Sequence, residues 1–430
     1  MSERSVENDR SFEKWNGGVE ETTAHKRDSA AKPSGPLVGI KVLDLATVIA
    51  APLAATLLAD FGAEVLKVEL PEKGDHIRHL PPYKDDVPLW SKVANRNKRG
   101  ITLDLRTSDG LEVVERLIAK QDVLVENFRP GTLERWGLST ERLLSLNPHL
   151  IILRVTGFGQ DGPYAARPGF ARVFEAMSGF AHLCGEPGGA PLFPGYPISD
   201  AVAGIYGAFA VCAAVVNREA TPGRPGQEID LSATEAMFRC LDFLAIEYDQ
   251  LGVVRNRNGN LNVYSAPSDV YKTSDDHWIS LAVSAPPVFV RFAQALERPD
   301  LITDERFCSN NARLKHRQEI ESIVKDWFLA RTEKEASEVL RSHDVSFNRI
   351  YSVEDVFEDE HFKARDAIIT VDDSELGPVR MQNVVPRFSR TPGRVWRAGP
   401  AQGEHNSEVF EKELKISKEK IAELKNNKAI

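Results

Sequence analysis

Cysteine is scarce in this sequence: four residues among 430, at Cys184, Cys212, Cys240 and Cys308. No two of them form a Cys-x-x-Cys pair, so neither a thiolate zinc site nor a dithiol redox centre is predicted. Reduced and mostly buried thiols, as in a cytoplasmic protein, are the expectation. The ten histidines include no His-x-x-x-His pair, and we predict no metal site.

Signals for export, membrane insertion and nucleic-acid binding are also missing. The first residues, MSERSVENDR, contain no apolar segment of the signal-peptide kind. The most apolar stretch, near Ala201 to Val216, contains Gly204 and Gly207 and is short for a bilayer span, so it is predicted to be a buried helix. The formal net charge of -9 argues against a broad nucleic-acid surface. We therefore expect a cytoplasmic protein without membrane or nucleic-acid partners.

What the sequence does contain is an alternation of short β-branched runs and helical segments. Val38 to Leu45 reads as a buried strand, and Pro52 suits the first turn of the helix that follows. Gly62 ends that helix, and Glu64 to Leu70 reads as a second strand. The pattern continues to Thr156, which predicts an α/β fold with a doubly wound parallel sheet.

A dinucleotide site is the first function that such a sheet suggests, and Glu69 stands where a ribose-binding acid would close the second strand. However, the first turn reads ATVIAAP and lacks the GxGxxG fingerprint, so a nicotinamide dehydrogenase is disfavoured. The phosphate-loop, zinc-protease and serine-hydrolase motifs are absent as well.

Composition suggests where the chain is divided. The polar residues 1–36 are predicted to form a mobile tail. The Pro/Gly-rich stretch Ala220 to Gln227 is a candidate boundary between two lobes. After it, an apolar helix is expected from about Ala233 to Leu251, a turn-rich loop from Asn256 to Asn262, and mainly helices over residues 285–345.

Eight segments together resemble the class III CoA-transferases, the family of formyl-CoA transferase and carnitine CoA-transferase. They cover about residues 37–415 and occur in the family's order, which makes the resemblance specific. The segments are LDLATVIAAPLAATLLADFGAEVLKVE, GDHIR, NRNKRGITLDL, ENFRPG, TGFGQDGPYAARPGF, ISDAVAG, GQEIDLSATEAM and GPAQGEHN.

The resemblance implies a fold and a substrate. It implies a Rossmann-like large domain from residues 37–224 and 336–430, a smaller α+β domain from 225–335, and an interlocked, ring-like dimer. It also implies that coenzyme A or an acyl-CoA is bound as substrate and that no cofactor is held permanently. Arginine and lysine suit the phosphates of CoA, although Arg106 is left unassigned. The implied CoA contacts are Val48, Ile49, Ala50, Arg78, Asn97, Lys98, Arg99, Asn127, Phe128 and Arg129.

The family resemblance also implies a nucleophilic aspartate directly after RPGF, where this sequence has Ala171. An aspartate there would attack the acyl-CoA thioester and form a mixed anhydride, which a methyl group cannot do. Glu175, four residues later on the same helical face, is the candidate substitute.

Three hypotheses for Ala171 follow. The chain is the non-catalytic subunit of a heteromeric enzyme, such as the succinyl-CoA:(R)-benzylsuccinate type of aromatic degradation, and braces a catalytic homologue. Alternatively, it forms a homomeric transferase that carries an engineered Asp→Ala change at this position. The third hypothesis is a CoA-ester binding protein without turnover. The acids exchanged, an aromatic or dicarboxylic acceptor with succinyl-CoA as donor, are guessed by analogy only.

Overall fold

A computed structural model describes residues 33–430, so most of the predicted N-terminal tail lies outside the described residues. The strands, in chain order, are β1 (Lys41–Asp44), β2 (Glu64–Glu69), β3 (Tyr83–Lys84), β4 (Val87–Pro88), β5 (Arg99–Thr102), β6 (Val123–Glu126), β7 (Ile151–Thr156), β8 (Gln227–Ser232), β9 (Ser268–Lys272), β10 (Trp278–Ala282), β11 (Phe347–Arg349), β12 (Ile368–Asp373) and β13 (Gly377–Gln382). The α-helices are α1 (Ala50–Asp60), α2 (Leu89–Ala94), α3 (Ser108–Ile118), α4 (Thr132–Arg135), α5 (Thr140–Leu146), α6 (Ala171–Met177), α7 (Phe180–Leu183), α8 (Ile198–Ala220), α9 (Ala233–Arg239), α10 (Leu244–Leu251), α11 (Pro286–Ala295), α12 (Asp300–Thr303), α13 (Asn310–Lys315), α14 (Arg317–Leu329), α15 (Glu333–Ser342), α16 (Val353–Glu358), α17 (Glu360–Ala364) and α18 (Lys418–Asn426).

The largest sheet has six strands in the order β5-β2-β1-β6-β7-β8, and every pairing in it is parallel. This is the doubly wound order of the Rossmann type, so the predicted α/β class is confirmed. The chain winds to one side from β1 to β2 and β5, and to the other side from β6 onward. The order therefore reverses between β1 and β6, and ligands of such sheets bind outside the carboxyl ends of the strands at this point.

Apolar layers cover both faces of this sheet. One layer packs α3, α5 and the C-terminal segment around Val409 and Phe410 against strand side chains such as Leu43. The other layer packs α1 and α8 against side chains such as Val42. Alternation of inward residues along β1 places Val42 and Leu43 in opposite layers, which is the period-2 geometry of a strand.

Helix α8 differs from its prediction as a buried helix. Gly204 brings it close to α1, because a Cβ at this position would lie 2.9 Å from the carbonyl oxygen of Ala50. Its other side is apolar but solvent-exposed, with Phe209 and Val216 each 70% exposed. Within residues 33–430, α8 is the helix long and apolar enough to cross a membrane by length and composition, although its packed face makes it part of the core.

A third hydrophobic cluster, separate from the two layers on the large sheet, forms around the antiparallel sheet β11-β10-β9 and helices α11 to α15. It spans Ala266 to Phe347 and includes Phe292 and Phe328, both fully buried. Strand β9 was not predicted from the sequence. The division into a large and a small domain at residues 225 and 335 stays a prediction.

The helix expected from Ala233 to Leu251 is wrong as a single element, because the structure divides it into α9 and α10. Asp242, in the connection, has a φ of 46°. This left-handed conformation is incompatible with a continuous right-handed helix, and aspartate tolerates it better than most residues.

Candidate functional site

Two loops meet at the point where the strand order reverses, one after β1 and one after β6. The side-chain amide of Asn127, directly after β6, joins them with two hydrogen bonds to the backbone of Thr47. Asn127 Oδ1 accepts the Thr47 N–H at 2.8 Å, and Asn127 Nδ2 donates to the Thr47 carbonyl oxygen at 2.8 Å. An Asn side chain offers both an acceptor and a donor, so it can pair with one residue's backbone as a strand would.

The loop after β1 contains a backbone outlier. Val48 has a φ of 68°, a left-handed conformation that is unfavourable for a β-branched residue. Its N–H donates to Oδ1 of Asp75 at 2.9 Å, and the same oxygen accepts the N–H of Ile77 at 3.1 Å. Asp75 thus fixes this loop from the segment that follows β2.

A buried network of charges lies beneath that loop. Lys67 contacts Asp75 at 2.8 Å and Asp44 at 3.9 Å, and Lys98 contacts Asp44 at 2.8 Å. Burial opposes the charge on Lys67, but Asp44 and Asp75 outweigh it and raise the pKa of Lys67. Burial likewise opposes the charge on Asp75, and Lys67 outweighs it and lowers the pKa of Asp75. The network therefore favours the ionised carboxylate that holds Val48.

A cavity of about 230 Å³ opens between these two loops, the end of β7, the segment before α6 and the first turn of α8. Asp200 is the acidic residue in its lining, and Arg129 and Arg167 are the basic ones, as far as the described chain shows. Burial, helped by the negative charge of Glu175, raises the pKa of Asp200 to about 6. The lining residues are Thr47, Val48, Ile49, Ala50, Asn127, Phe128, Arg129, Pro130, Val155, Thr156, Gly157, Ala165, Arg167, Pro168, Gly169, Phe170, Phe174, Asp200 and Ala233.

Ala171 and Glu175 do not line this cavity. Ala171 is buried at the first position of α6, and its carbonyl oxygen accepts the Ser199 hydroxyl at 3.0 Å. Glu175 is 1% exposed, and its Oε1 accepts the Ser199 N–H at 3.2 Å. Both residues therefore fix the start of α8, directly before Asp200.

Asp200 is the residue that sequence reasoning passed over. It lies inside the ISDAVAG segment, which carried part of the family resemblance, but a single aspartate in the first turn of an apolar helix also fits a favourable helix-dipole interaction. The signal that separates the two roles is spatial. The α6–α8 contact and the end of β7 bring a carboxylate to the switch-point cavity, and no spacing in the sequence encodes that.

Six of the ten implied CoA contacts line the cavity together, namely Val48, Ile49, Ala50, Asn127, Phe128 and Arg129. Asn97 and Lys98 instead have internal partners. The Asn97 amide donates to Asp60 at 2.9 Å, and the fully buried Lys98 ammonium donates to Asp44 and to the Pro52 carbonyl oxygen, both at 2.8 Å. In this geometry their charges and dipoles stabilise the loops rather than face the cavity.

The other two implied contacts are paired arginines. Arg78 makes a bidentate pair with Glu69 at 2.6 and 2.7 Å, so its guanidinium is largely satisfied within the protein. Arg99 pairs with Glu408 at 2.6 Å and also with Glu413. Neither arginine lines the cavity that contains Asp200.

A second cavity of about 150 Å³ lies beside the first and shares Thr47 and Phe128 with it. Trp136 and Arg106 line its walls. Arg106, left unassigned from the sequence, pairs with Asp104 at 2.7 Å on an exposed surface. The two cavities therefore adjoin at Thr47 and Phe128, in the loops after β1 and β6, and form the crevice considered below.

The fold is that of a doubly wound α/β protein with a cavity at the switch point, where ligands of such sheets bind. A family model described as CoA-transferase family III matches residues 37–406, so the chain belongs to that family, whose members move CoA between carboxylic acids. The expectation that CoA thioesters are substrates is thereby confirmed.

Known relatives and a solved structure agree with this assignment. The chain is 40% identical over 403 residues to succinyl-CoA–D-citramalate CoA-transferase of Chloroflexus aurantiacus, covering 94% of this chain and 100% of that one. It is 42% identical over 400 residues to the succinyl-CoA–L-malate CoA-transferase beta subunit of the same organism, covering 92% and 98%. A CaiB/BaiF family protein from Brucella suis superimposes with a TM-score of 0.77 at 33% identity, covering 87% and 98%.

Proposed function

We propose that this chain transfers CoA from succinyl-CoA to a second carboxylic acid and that Asp200 is its covalent nucleophile. The observation that carries the proposal is the position of Asp200 in the cavity, beside the loop residues implied to hold CoA. We thereby assign the nucleophile to α8, whereas the family resemblance implies an aspartate at position 171, where this chain has Ala171, and the sequence suggested Glu175 as its substitute. Relatives whose names include succinyl-CoA support the donor.

The reaction proceeds in four exchanges. A carboxylate oxygen of Asp200 attacks the thioester carbonyl, the C–S bond breaks, and CoA thiolate leaves with a mixed anhydride on the protein. The thiolate then attacks the Asp200 carbonyl carbon, which releases succinate and leaves an aspartyl-CoA thioester. The acceptor carboxylate attacks that thioester, forming a second anhydride and freeing the thiolate. Attack of the thiolate on the acceptor carbonyl yields the new acyl-CoA and restores the Asp200 carboxylate.

The electrostatics of Asp200 suit this role. With a pKa of about 6, the carboxylate is mostly ionised at neutral pH yet more basic than an ordinary aspartate. A more basic oxygen is a better nucleophile, and partial burial removes water that would hydrolyse the anhydride. Asn127 and Asp75 hold the two loops that would bind CoA while the thioester reaches Asp200.

Adduct mapping tests the proposal. The purified chain is incubated with succinyl-CoA, treated with borohydride or hydroxylamine, digested and analysed by mass spectrometry. We expect modification of the peptide that contains Asp200, and we expect Asp200→Asn to abolish both the adduct and CoA transfer. Asp161→Asn, an exposed aspartate outside the cavity, is the matched control and should behave as the wild type. Full transfer activity in Asp200→Asn would refute the assignment.

An accessory-subunit role is the second candidate, and two observations favour it. Ala171 has no carboxyl group, and one relative is named as a beta subunit. This candidate predicts no adduct on the chain alone and recovery of transfer when a homologous partner is added. If Ala171 were an engineered change, Ala171→Asp would recover activity without a partner. A CoA-ester binding protein would bind the ligand in calorimetry and never turn it over.

Assembly is part of the proposal, because α8 and α10 expose apolar side chains that water covers in a single chain. Phe209 on α8 is 70% exposed, and Ile246 and Leu251 on α10 are 64% and 71% exposed. Exposed apolar surface of this extent is typical of subunit interfaces. A second copy or a homologous subunit, as the family's interlocked dimer implies, would bury it. Sedimentation analysis of the purified chain tests this, with a monomer as the contrary result.

A further inference from the structure

Arg167 lines the same cavity as Asp200, yet the two side chains do not form an ion pair within 4.0 Å. Among the described residues, no carboxylate lies within that distance of the Arg167 guanidinium. Arginine remains charged at any physiological pH. The cavity wall therefore carries a positive charge that an anionic ligand can bind. Because Asp200 faces the same space, a ligand with one reacting carbonyl and one free carboxylate can meet both groups.

Aromatic rings orient this guanidinium. Its central carbon lies 4.6 Å from the ring centroid of Tyr164 and 5.7 Å from that of Phe158. Phe158 in turn packs edge-on against Phe174, with 5.5 Å between the centroids. Cation–π contacts of this kind fix the plane of a guanidinium and leave its N–H edges available to an anion.

The ring of Phe174 also packs against both ends of the loop that contains Arg167. A Cβ at Gly157, where the loop begins, would lie 2.2 Å from the Phe174 ring, and one at Gly169, where it ends, would lie 2.4 Å from it. Glycine is therefore required at both positions for the ring to fit between them. The Arg167 N–H donates to the Tyr164 carbonyl oxygen at 2.9 Å and closes a turn inside the loop. These contacts fix the backbone of Arg167 in the absence of ligand, while its guanidinium lies exposed beside the ring of Tyr164.

We propose that Arg167 selects acyl groups that carry a second carboxylate, by binding the far carboxylate of a dicarboxylic acyl-CoA while its thioester faces Asp200. The inference deepens the proposed function and rests on it for the orientation of the thioester. A carboxylate completes bidentate, charge-assisted hydrogen bonds with the guanidinium. Arg167 is solvent-exposed without ligand, and a methyl group placed against it would displace water without offering an acceptor, so monocarboxylic acyl groups gain less from this contact.

Arg129 is the other cation of the cavity, and its position points to a different task. It follows β6 in the loop that the family resemblance assigns to CoA, so every CoA ester would meet it equally. Arg167 instead precedes α6, whose first residue, Ala171, is hydrogen-bonded to Ser199 beside Asp200. Arg167 therefore belongs to the acyl end of the crevice, and Arg129 to the CoA end.

Calorimetry on the Asp200→Asn protein tests the selection without turnover. The ligands are succinyl-CoA and butyryl-CoA, which have the same number of acyl carbons and differ in the second carboxylate. We expect Arg167→Gln to weaken succinyl-CoA binding by about 10- to 100-fold and to change butyryl-CoA binding by less than about 3-fold. Arg129→Gln, the matched control, should weaken both ligands by a similar factor.

Equal loss of both ligands in Arg167→Gln would overturn the proposal, as would unchanged binding of succinyl-CoA. Circular dichroism of each variant shows whether the fold is intact. Arg167→Lys keeps the positive charge but not the planar, bidentate guanidinium, and it should retain part of the preference for succinyl-CoA. Because binding is measured here and adduct formation is measured separately, failure of Asp200 as nucleophile and failure of Arg167 as selector give different results.

Discussion

The N–H of Val48 donates a 2.9 Å hydrogen bond to Oδ1 of Asp75, and this bond holds a β-branched residue at a φ of 68°. Such a conformation costs on the order of 1–3 kcal/mol and persists only where its surroundings enforce it. Asp75 provides that constraint, because its other oxygen is anchored by Lys67 at 2.8 Å. Since Val48 lines the cavity, the buried ion pair shapes the ligand site.

We therefore expect Asp75→Ala to relax Val48 and to weaken CoA binding by about 10-fold or more, as the strain of 1–3 kcal/mol is released. Val48→Gly should restore much of that loss in the double variant, because glycine adopts a positive φ without strain. Titration calorimetry with CoA measures both effects.

Asp60→Ala is the control for this pair. Asp60 is equally buried and pairs with Arg96 at 2.5 Å, but it does not contact the loop after β1. It should lower stability without a specific loss of CoA affinity, and Val48→Gly should not rescue it. If Val48→Gly rescued both variants equally, or neither, Asp75 would have no special relation to Val48.

Much of the architecture is predictable because local patterns encode it. The β-branched run before Pro52 and the glycine that ends α1 are enough to predict β1, α1 and the parallel pairing with β2. Val48 lies in the loop after β1 and Asn127 directly follows β6, so the motifs that suggested them also locate them at the carboxyl edge of the sheet. Local sequence determines these features, and tertiary packing only refines their ends.

Features that depend on distant partners were not predictable. Lys98 was expected to be a CoA contact. In the structure its buried ammonium instead donates a hydrogen bond to the carboxylate of Asp44, 54 positions earlier in the sequence. Asp200 reaches the cavity because Ser199 bonds to Ala171 and Glu175 across the α6–α8 contact. A lysine in a polar motif and an aspartate in an apolar helix look the same in sequence whichever partner they meet.

Asp200→Asn should stabilise the protein at neutral pH while it abolishes transfer. The folded-state pKa of Asp200, about 6, lies above its ordinary value of 3.8, so folding favours the protonated carboxyl and its ionisation destabilises the fold. The penalty develops as the pH rises from about 4 to 6 and is complete at pH 7, where it amounts to at most about 3 kcal/mol. Urea unfolding at pH 7 should show the gain, and the gain should shrink as the pH falls towards 4. An equal gain at both pH values, or one in the exposed Asp161→Asn control, would contradict this account.

Glu175→Gln should shift the acid limb of the transfer reaction to lower pH. Burial is the larger cause of the raised pKa of Asp200 and the negative charge of Glu175 is the smaller one, so removing that charge lowers the pKa only in part. Glutamine keeps the oxygen that accepts the Ser199 N–H, so the plateau rate should stay within a few fold. The pH profile of kcat/KM measures both, with Glu115→Gln on α3, a half-buried glutamate outside the cavity, as control. Loss of the plateau itself would instead make Glu175 the reacting carboxylate.

Gly169→Ala should reduce the preference for succinyl-CoA, because Gly169 packs against Phe174 at the end of the loop that contains Arg167. The new methyl group would lie 2.4 Å from the buried ring of Phe174, so either the ring or the loop must move. Overpacking of this kind costs about 1–3 kcal/mol, and movement of the loop takes Arg167 from its position beside Tyr164. The preference for succinyl-CoA over butyryl-CoA should therefore fall, and Phe174→Leu should restore part of it by making room. Gly195→Ala is the matched control, because no atom lies within 4 Å of a Cβ at that position. If both glycine variants kept the full preference, the loop would tolerate displacement and the packing of Phe174 against Gly169 would not determine where Arg167 stands.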